Sequence, residues 1–324
     1  IRQNNILKEQ IMKQNKFNLH LILGLVFSAS ILTACNGTTG SSSSNQVTSA
    51  TIPTLSGLAY DPVAKAVFSV NSQGTLCQLP VKNIPGNLDC NIVAPDNIVI
   101  SSQVVSDNQG NIYAIGSQPA STDNFVLKYQ TSSNTWTSAN IDIPFVLSFS
   151  KLLYRQGNLY LADPNLSTLY TINLNKNILE SSAEFFTPGP AVLEDFDQNG
   201  NLFYTYQTNN VQPDFSVVSQ TGVYTLPIAS SKAAGTQFGE SNVYINDLVY
   251  VKNTAYACAE SDFLYLPAGS DANSSWQVLT NSSQPGYFSC DYITTDGSSL
   301  YYVEGQWTSN ETFNNNYVSM MAIN

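Results

Sequence analysis

Histidine is nearly missing from this chain: the only one is His20, inside an apolar stretch near the start. Without that stretch the chain has none. That excludes a Ser-His-Asp triad, a Cys-His nucleophile, histidine metal ligation and histidine acid-base work. Positive charge is also scarce, with 12 Lys and Arg against 23 Asp and Glu, a net charge of −11. Arg2, Lys8, Lys13, Lys16 and Glu9 fall within residues 1–34, which leaves 8 cations against 22 carboxylates, a net charge of −14. Such a surface repels nucleic acid and anionic headgroups, so no nucleic-acid partner is expected. No Cys-x-x-Cys spacing occurs, so neither a zinc knuckle nor a redox pair is expected. No long helical period appears after residue 55. Any catalysis would have to run on carboxylates, Lys, Tyr or a carboxylate-bound cation, and no residue is singled out as catalytic.

What is present begins with an apolar run over 17–34, preceded by Lys13 and Lys16 and ended by Leu32-Thr33-Ala34-Cys35. A transmembrane helix needs roughly 20 consecutive apolar residues. This shorter run, ending in small residues before a cysteine, reads as a signal peptide with a lipobox. Residues 1–34 are therefore expected to comprise some upstream sequence before Met12 and a signal peptide, with Cys35 as the lipidation site. Each buried methylene contributes about 0.8 kcal/mol, so two or three acyl chains make a stable membrane anchor. Residues 35–46 are Gly/Ser/Thr/Asn-rich after the cysteine and read as a flexible tether. Asn36, directly after Cys35, resembles the outer-membrane class of lipoproteins rather than the inner-membrane class.

The remaining chain, 47–324, alternates short runs of Tyr, Val, Leu, Ile and Phe with Gly, Asn, Asp and Ser. Period-two runs at close spacing predict an all-β domain. The runs also repeat: a strand, a Gly-Asn turn, then an aromatic strand, as in Val104–Ile115, Leu152–Ala162, Glu194–Tyr206, Leu248–Cys258, Tyr292–Val303 and, degraded, Leu58–Val70. With Ala64, Gly110, Gly157, Gly200, Asn253 and Gly297 as anchors, the intervals are 46, 47, 43, 53 and 44 residues. Six units of four-strand length predict a β-propeller, with a β-barrel or sandwich as the alternative. The last unit has too few residues for a fourth strand, and Val47–Ile52 is expected to supply it and close the ring by the two termini. Four cysteines remain after Cys35, and an even count in an exported domain suggests disulfides. On the repeat register, Cys77 and Cys90 fall on successive outer strands of one unit and Cys258 and Cys290 on inner strands of adjoining units. Those are the pairs expected.

Asp107 to Tyr113, Asp197 to Phe203 and Leu159 to Asp163 carry a resemblance to the six-bladed TolB-like superfamily, which includes NHL-repeat proteins and gluconolactonase-like hydrolases. The resemblance covers about 47–324 and implies a fold more than a function. In gluconolactonase-like enzymes it implies a divalent cation over the central channel, about eight residues before each anchor. Here those positions hold Ser56, Ser102, Phe149, Val192, Ile245 and Ser289, and no ligand carries over.

Six residues before the anchors stand Leu58, Val104, Lys151, Glu194, Asp247 and Asp291. Equal offset predicts that Glu194, Asp247 and Asp291 converge on one side of the channel with Lys151 beside them. Converging carboxylates need a compensating charge, from Ca2+ or from the lysine. The segments 207–221 and 306–317 are expected to be long loops on the face where inner strands begin, presenting Phe215, Trp307, Phe313 and Tyr317 for contact with a protein or glycan. The expected function is a membrane-anchored binding module in the cell envelope. The alternatives are a cation-dependent hydrolase or lactonase and an envelope-assembly scaffold.

Overall fold

The computed structural model describes residues 54–119, 121, 123–144, 147, 150–162, 168–176, 178–185, 191–211, 217–227, 232–233, 236–240, 245–259, 262–281, 288–307 and 313–323. Cys35 and the segment 47–52 lie outside them. Apart from a single 3-10 turn at Val81–Asn83, the regular elements among the described residues are strands.

The strands form six sheets. The first orders Leu55–Asp61, Ala66–Asn71, Leu76–Pro80 and Asp89–Ile92 from inside outwards. The second runs from Val105–Ser106 and Val99–Ile100, which share Asn111–Ser117 as partner, to Asn124–Gln130 and Thr135–Ile141. The third orders Leu153–Arg155, Asn158–Ala162, Thr168–Asn173 and Ile178–Phe185, with Lys232–Ala233 added in parallel at its edge. The fourth orders Ala191–Phe196, Asn201–Val211, Val217–Pro227 and Thr236–Gln237. The fifth orders Asp247–Val251, Thr254–Ala259, Asp262–Pro267 and Gln277–Asn281, and the sixth Phe288–Thr295, Ser299–Trp307, Phe313–Ala322 and Gly86–Asn87. Nearly all pairings are antiparallel between chain neighbours, the meander that a β-propeller requires.

The apolar core is divided among the interfaces between sheets. One cluster joins the first and second sheets through Phe68, Val70, Ile112 and Leu127, and another joins the second and third through Ile115, Val126, Leu159 and Leu161. Further clusters join third to fourth, fourth to fifth and fifth to sixth. The cycle closes between sixth and first, where Leu55, Val67, Leu79, Tyr301, Val303 and Val318 pack together. This explains why Ala66–Asn71 is buried at every position instead of alternating. A second strand lies between two neighbouring sheets, so both of its faces leave water, each Val or Phe contributing roughly 1.5–3 kcal/mol.

The repeat motif is the device that builds these interfaces. The turn anchors take positive φ: Gly110 91°, Gly157 81°, Gly200 87°, Asn253 59° and Gly297 88°. In the degraded first unit that role passes from Ala64 to Lys65, at 48°. The motif aspartate caps the same turn, since Asp107 Oδ1 accepts from Gln109 N–H (2.8 Å) and Asn111 N–H (3.1 Å), and Asp197 Oδ1 from Asn199 N–H (2.8 Å) and Asn201 N–H (2.7 Å). The motif aromatic then packs on the next sheet's inner strand: Tyr113 on Tyr154, Tyr160 on Phe196, Phe203 on Tyr250 and, across the closure, Tyr301 on Tyr60, with ring centroids 5.0–5.8 Å apart.

Closure involves a segment that the sequence reading assigned no such role. After Val81–Asn83 the chain crosses to the last sheet, where Gly86 and Asn87 pair with Val318 and Tyr317, and returns so that Asp89–Ile92 completes the first sheet. Cys77–Cys90 ties this excursion to the first sheet, and Cys258–Cys290 links the fifth sheet's second strand to the sixth sheet's inner strand. Both pairs are those expected, although Cys258 stands on a second strand where an inner one was expected. In the chain-entropy model each stabilises the fold by about 3 kcal/mol.

The segments 207–221 and 306–317 depart from the expectation of long loops. Their backbones continue as two-stranded ladders, to Val211↔Val217 in the fourth sheet and Trp307↔Phe313 in the sixth. Thr208, Val211, Val217 and Val218 in the first stretch and Trp307, Phe313 and Tyr317 in the second are residue types that suit extended backbone, and pairing runs on past the sheets. Trp307, Phe313 and Tyr317 therefore stand on strands rather than in a loop, with Tyr317 half-buried, while Phe215 lies outside the described residues.

Candidate functional site: the central channel

The ends of all six inner strands converge on a cavity of about 200 Å3 on the ring axis. Its polar lining includes Gln103, Lys151, Glu194, Asp195 and Thr294, and its aromatic lining Tyr60, Tyr154 and Phe196.

Lys151 precedes the third sheet's inner strand, Glu194 belongs to the fourth sheet's and Asp247 begins the fifth's. The Lys151 ammonium donates to Asp247 Oδ1, to Glu194 Oε2 at 3.4 Å and to the Leu248 carbonyl at 3.4 Å. Both carboxylates are buried, Glu194 at 2% exposure and Asp247 at 3%. Each carboxylate also accepts from further donors. Thr205 Oγ1 donates to Glu194 Oε1 (2.8 Å), Leu248 N–H to Asp247 Oδ1 (2.9 Å) and, from the sixth sheet, Ile293 N–H to Asp247 Oδ2 (2.9 Å). One lysine thus joins the third, fourth and fifth sheets, and Asp247 extends the link to the sixth.

Asp291 is placed differently. It is half-buried, whereas Asp247 is buried, and the carboxylate beside Lys151 and Glu194 that sequence spacing missed is Asp195. The cause is a change of register. The fourth sheet's inner strand carries an extra residue between Leu193 and Asp195, and the sixth's between Cys290 and Ile293, whereas Asp247 sits in regular pairing opposite Cys258. Equal sequence offset therefore does not mean equal height. The bulge lets Glu194 and Asp195, neighbours that a regular strand would send to opposite faces, both reach the cavity. The first sheet has the same irregularity between Ser56 and Ala59, where Gly57 takes φ 75° and an added Cβ would come within 2.7 Å of the Gln103 side chain. Bulges recurring near the sixth position before an anchor are the signal that would have exposed the difference, and Gly57 is its visible trace.

Side chains on the inner strands also bind the next sheet's backbone. Asp61 Oδ2 accepts from Ser106 Oγ (2.8 Å) and Gly110 N–H (3.1 Å), Asp195 Oδ2 accepts from Tyr250 N–H (2.6 Å), and Thr294 Oγ1 accepts from Tyr60 N–H (3.1 Å) across the closure.

Electrostatics follow from burial. Desolvation pulls the Lys151 ammonium down, but Asp247 and Glu194 outweigh it and hold the group above the ordinary lysine value. Burial pushes Glu194 up to about 8, with Lys151 opposing and Asp247 adding. It pushes Asp195 up to about 6 against the Tyr250 N–H and Lys151. The group therefore combines a fixed cation, a carboxyl that exchanges its proton near neutrality and a carboxylate held by two amides.

Sheet arrangement and axial channel together define a β-propeller. No protein-family model matches the chain, and no curated protein matches it. Among solved structures it is similar to the PQQ-bound form of an aldose sugar dehydrogenase from Streptomyces coelicolor, with TM-score 0.54 and 11% identity over 83% of this chain and 95% of that one. It is similar also to YjhT (TM-score 0.53, 10% identity, 84% and 98%) and to an oligogalacturonate lyase in complex with manganese (TM-score 0.51, 9% identity, 82% and 76%). At these identities the likeness shows the fold alone.

Proposed function

We propose that this protein is a lipoprotein anchored through Cys35, facing the cell envelope from the outer membrane, whose six-bladed propeller of the TolB-like type is a binding module for a protein or glycan. Its channel group serves as a structural pin rather than a cation-dependent catalytic centre. The observation that carries this reading is the Lys151 ammonium between Glu194 and Asp247: the chain supplies the positive charge itself, at the point where converging carboxylates would otherwise call for Ca2+. The hairpins ending at Val211↔Val217 and Trp307↔Phe313 support the binding role, because they extend two ladders beyond the sheets.

Calcium titrated into the purified protein is expected to give no heat of binding and no rise in melting temperature. A specific rise by mass action, abolished in Asp247→Asn, would overturn the pin and favour the hydrolase or lactonase reading. For the anchor, Cys35→Ser is expected to move the protein from the membrane fraction to the soluble one, with the wild-type N-terminal peptide carrying acyl chains. An unmodified thiol in that peptide would sink the lipoprotein assignment.

A further inference from the structure

We propose that Lys151 and Asp247 condense to an intramolecular isopeptide bond, with Glu194 as the proton carrier, so that the ring is stapled covalently from its third sheet to its fifth. The three groups come from separate sheets and are held in contact by the fold. Lys151 Nζ donates to an oxygen of the Asp247 carboxylate and stands 3.4 Å from Glu194 Oε2. All three side chains are mostly out of water, with exposures of 13%, 1% and 4% for Lys151, Glu194 and Asp247.

Amide formation from an amine and a carboxyl group in water is disfavoured by solvation of the two ions and by the entropy of bringing them together. Burial removes the first obstacle in part, and the fold removes the second. Well-oriented intramolecular groups reach effective concentrations of roughly 10⁵–10⁸ M.

The atoms balance without any co-reactant. A proton passes from the Lys151 ammonium to the Asp247 carboxylate, and the freed lone pair forms the N–Cγ bond. A second proton then moves from nitrogen to the departing oxygen, the Cγ–O bond breaks, and one water leaves. Glu194 accepts and returns these protons, ending as it began. A carboxyl whose pKa is near 8 has both forms available at neutral pH. Charge that develops on the carboxyl oxygens as Cγ becomes tetrahedral meets two preset donors, Leu248 N–H on one and Ile293 N–H on the other, each at 2.9 Å. Lys151 and Glu194 both border the axial cavity, which gives the released water a place to go.

This inference rests on the geometry of the pin and not on the binding role. An uncrosslinked chain would end it and leave the proposed function standing. The test is tryptic peptide mapping of the purified, folded whole chain after disulfide reduction. The expected result is a branched peptide joining the segments that contain Lys151 and Asp247, lighter by one water than their sum, with no cleavage after Lys151. Asp247→Asn should give the same link with loss of ammonia instead, Lys151→Arg should give none, and Glu194→Ala should leave the two segments unjoined. Recovery of ordinary linear peptides cleaved after Lys151 from folded wild-type protein overturns the proposal. That readout needs no variant to fold, and a merely electrostatic pin would not change any mass.

Discussion

Stability to urea is expected to fall as pH is raised from 4.5 to about 8 and then to level off, the reverse of the usual acid side of a protein's profile. Glu194 has its pKa raised from 4.5 to about 8, and Asp195 from 3.8 to about 6, burial being the first cause in both. Between the ordinary and the raised value the folded chain holds a proton that the unfolded chain has released. Unfolding is then favoured by rising pH, by up to about 1.4 kcal/mol per pH unit for each such group. The contribution of Glu194 is complete below 4.5 and lost at about 8, and that of Asp195 is complete below 3.8 and lost at about 6. The decline should therefore be steepest where both windows overlap. Lys151, with its pKa raised, contributes below 10.5 and loses that contribution only as pH rises above it, so it adds no slope in this window. Asp271 and Asp296 have lowered values and act oppositely, weakening the fold as pH falls from 3.8. Denaturation curves of wild type, Glu194→Gln and Asp195→Asn across this range decide the matter. The first variant should flatten the upper part of the decline and the second the lower part. Wild-type stability that rises through the window would contradict the buried, protonated state of Glu194. Conversion of Lys151 to an amide preserves the direction, because burial of Glu194 remains and the lysine's opposing charge disappears.

Much of this geometry is legible in the amino-acid sequence. The anchors and their intervals depend on turn chemistry, which is local, so positive φ at Gly110, Gly157, Gly200, Asn253 and Gly297 follows from residue type. The Cys77–Cys90 pairing follows from strand order, since the two occupy the third and fourth strands of one sheet. Lys151, Glu194 and Asp247 were picked out by shared offset, and the structure brings these three together. The same reasoning placed Asp291 in the group and passed over Asp195, because a one-residue bulge is not written in the alternation pattern. A bulge reflects how a strand must twist to meet its neighbours at the axis, a property of the assembled ring. The docking of Gly86–Asn87 on the last sheet was equally hidden. Gly86 and Asn87 themselves carry no apolar pattern and pair there by backbone, while their neighbours Ile84 and Leu88 pack in the cluster that joins the last sheet to the first.

Replacing Lys151 by Met, which keeps the length of the stem and removes the charge, is expected to cost about 3–5 kcal/mol, since it leaves a buried carboxylate without its counter-charge. The cost should not fall equally on the two partners. Glu194 already holds its proton up to about 8 and can stay neutral, so the penalty rests mainly on Asp247, which keeps only the Leu248 and Ile293 amides. Lys151→Met should therefore lose more stability above the Glu194 value than below it, where one of the two carboxyls is silent. In the uncrosslinked chain, Asp247→Asn by contrast presents an amide NH2 to one of those backbone donors and leaves Lys151 facing Glu194 alone. The double variant removes both mismatched charges, so its loss should be smaller than the sum of the single losses, with a coupling of roughly 0.5–3 kcal/mol. If the amide link has formed in wild type, Lys151→Met also forfeits the staple and its loss exceeds the electrostatic range, whereas Asp247→Asn still closes the link with loss of ammonia. Urea denaturation of the four proteins at two pH values supplies the cycle. Additive losses, each below about 1 kcal/mol as for an exposed pair, would show that Lys151 is not the group that holds the third, fourth and fifth sheets together at the axis.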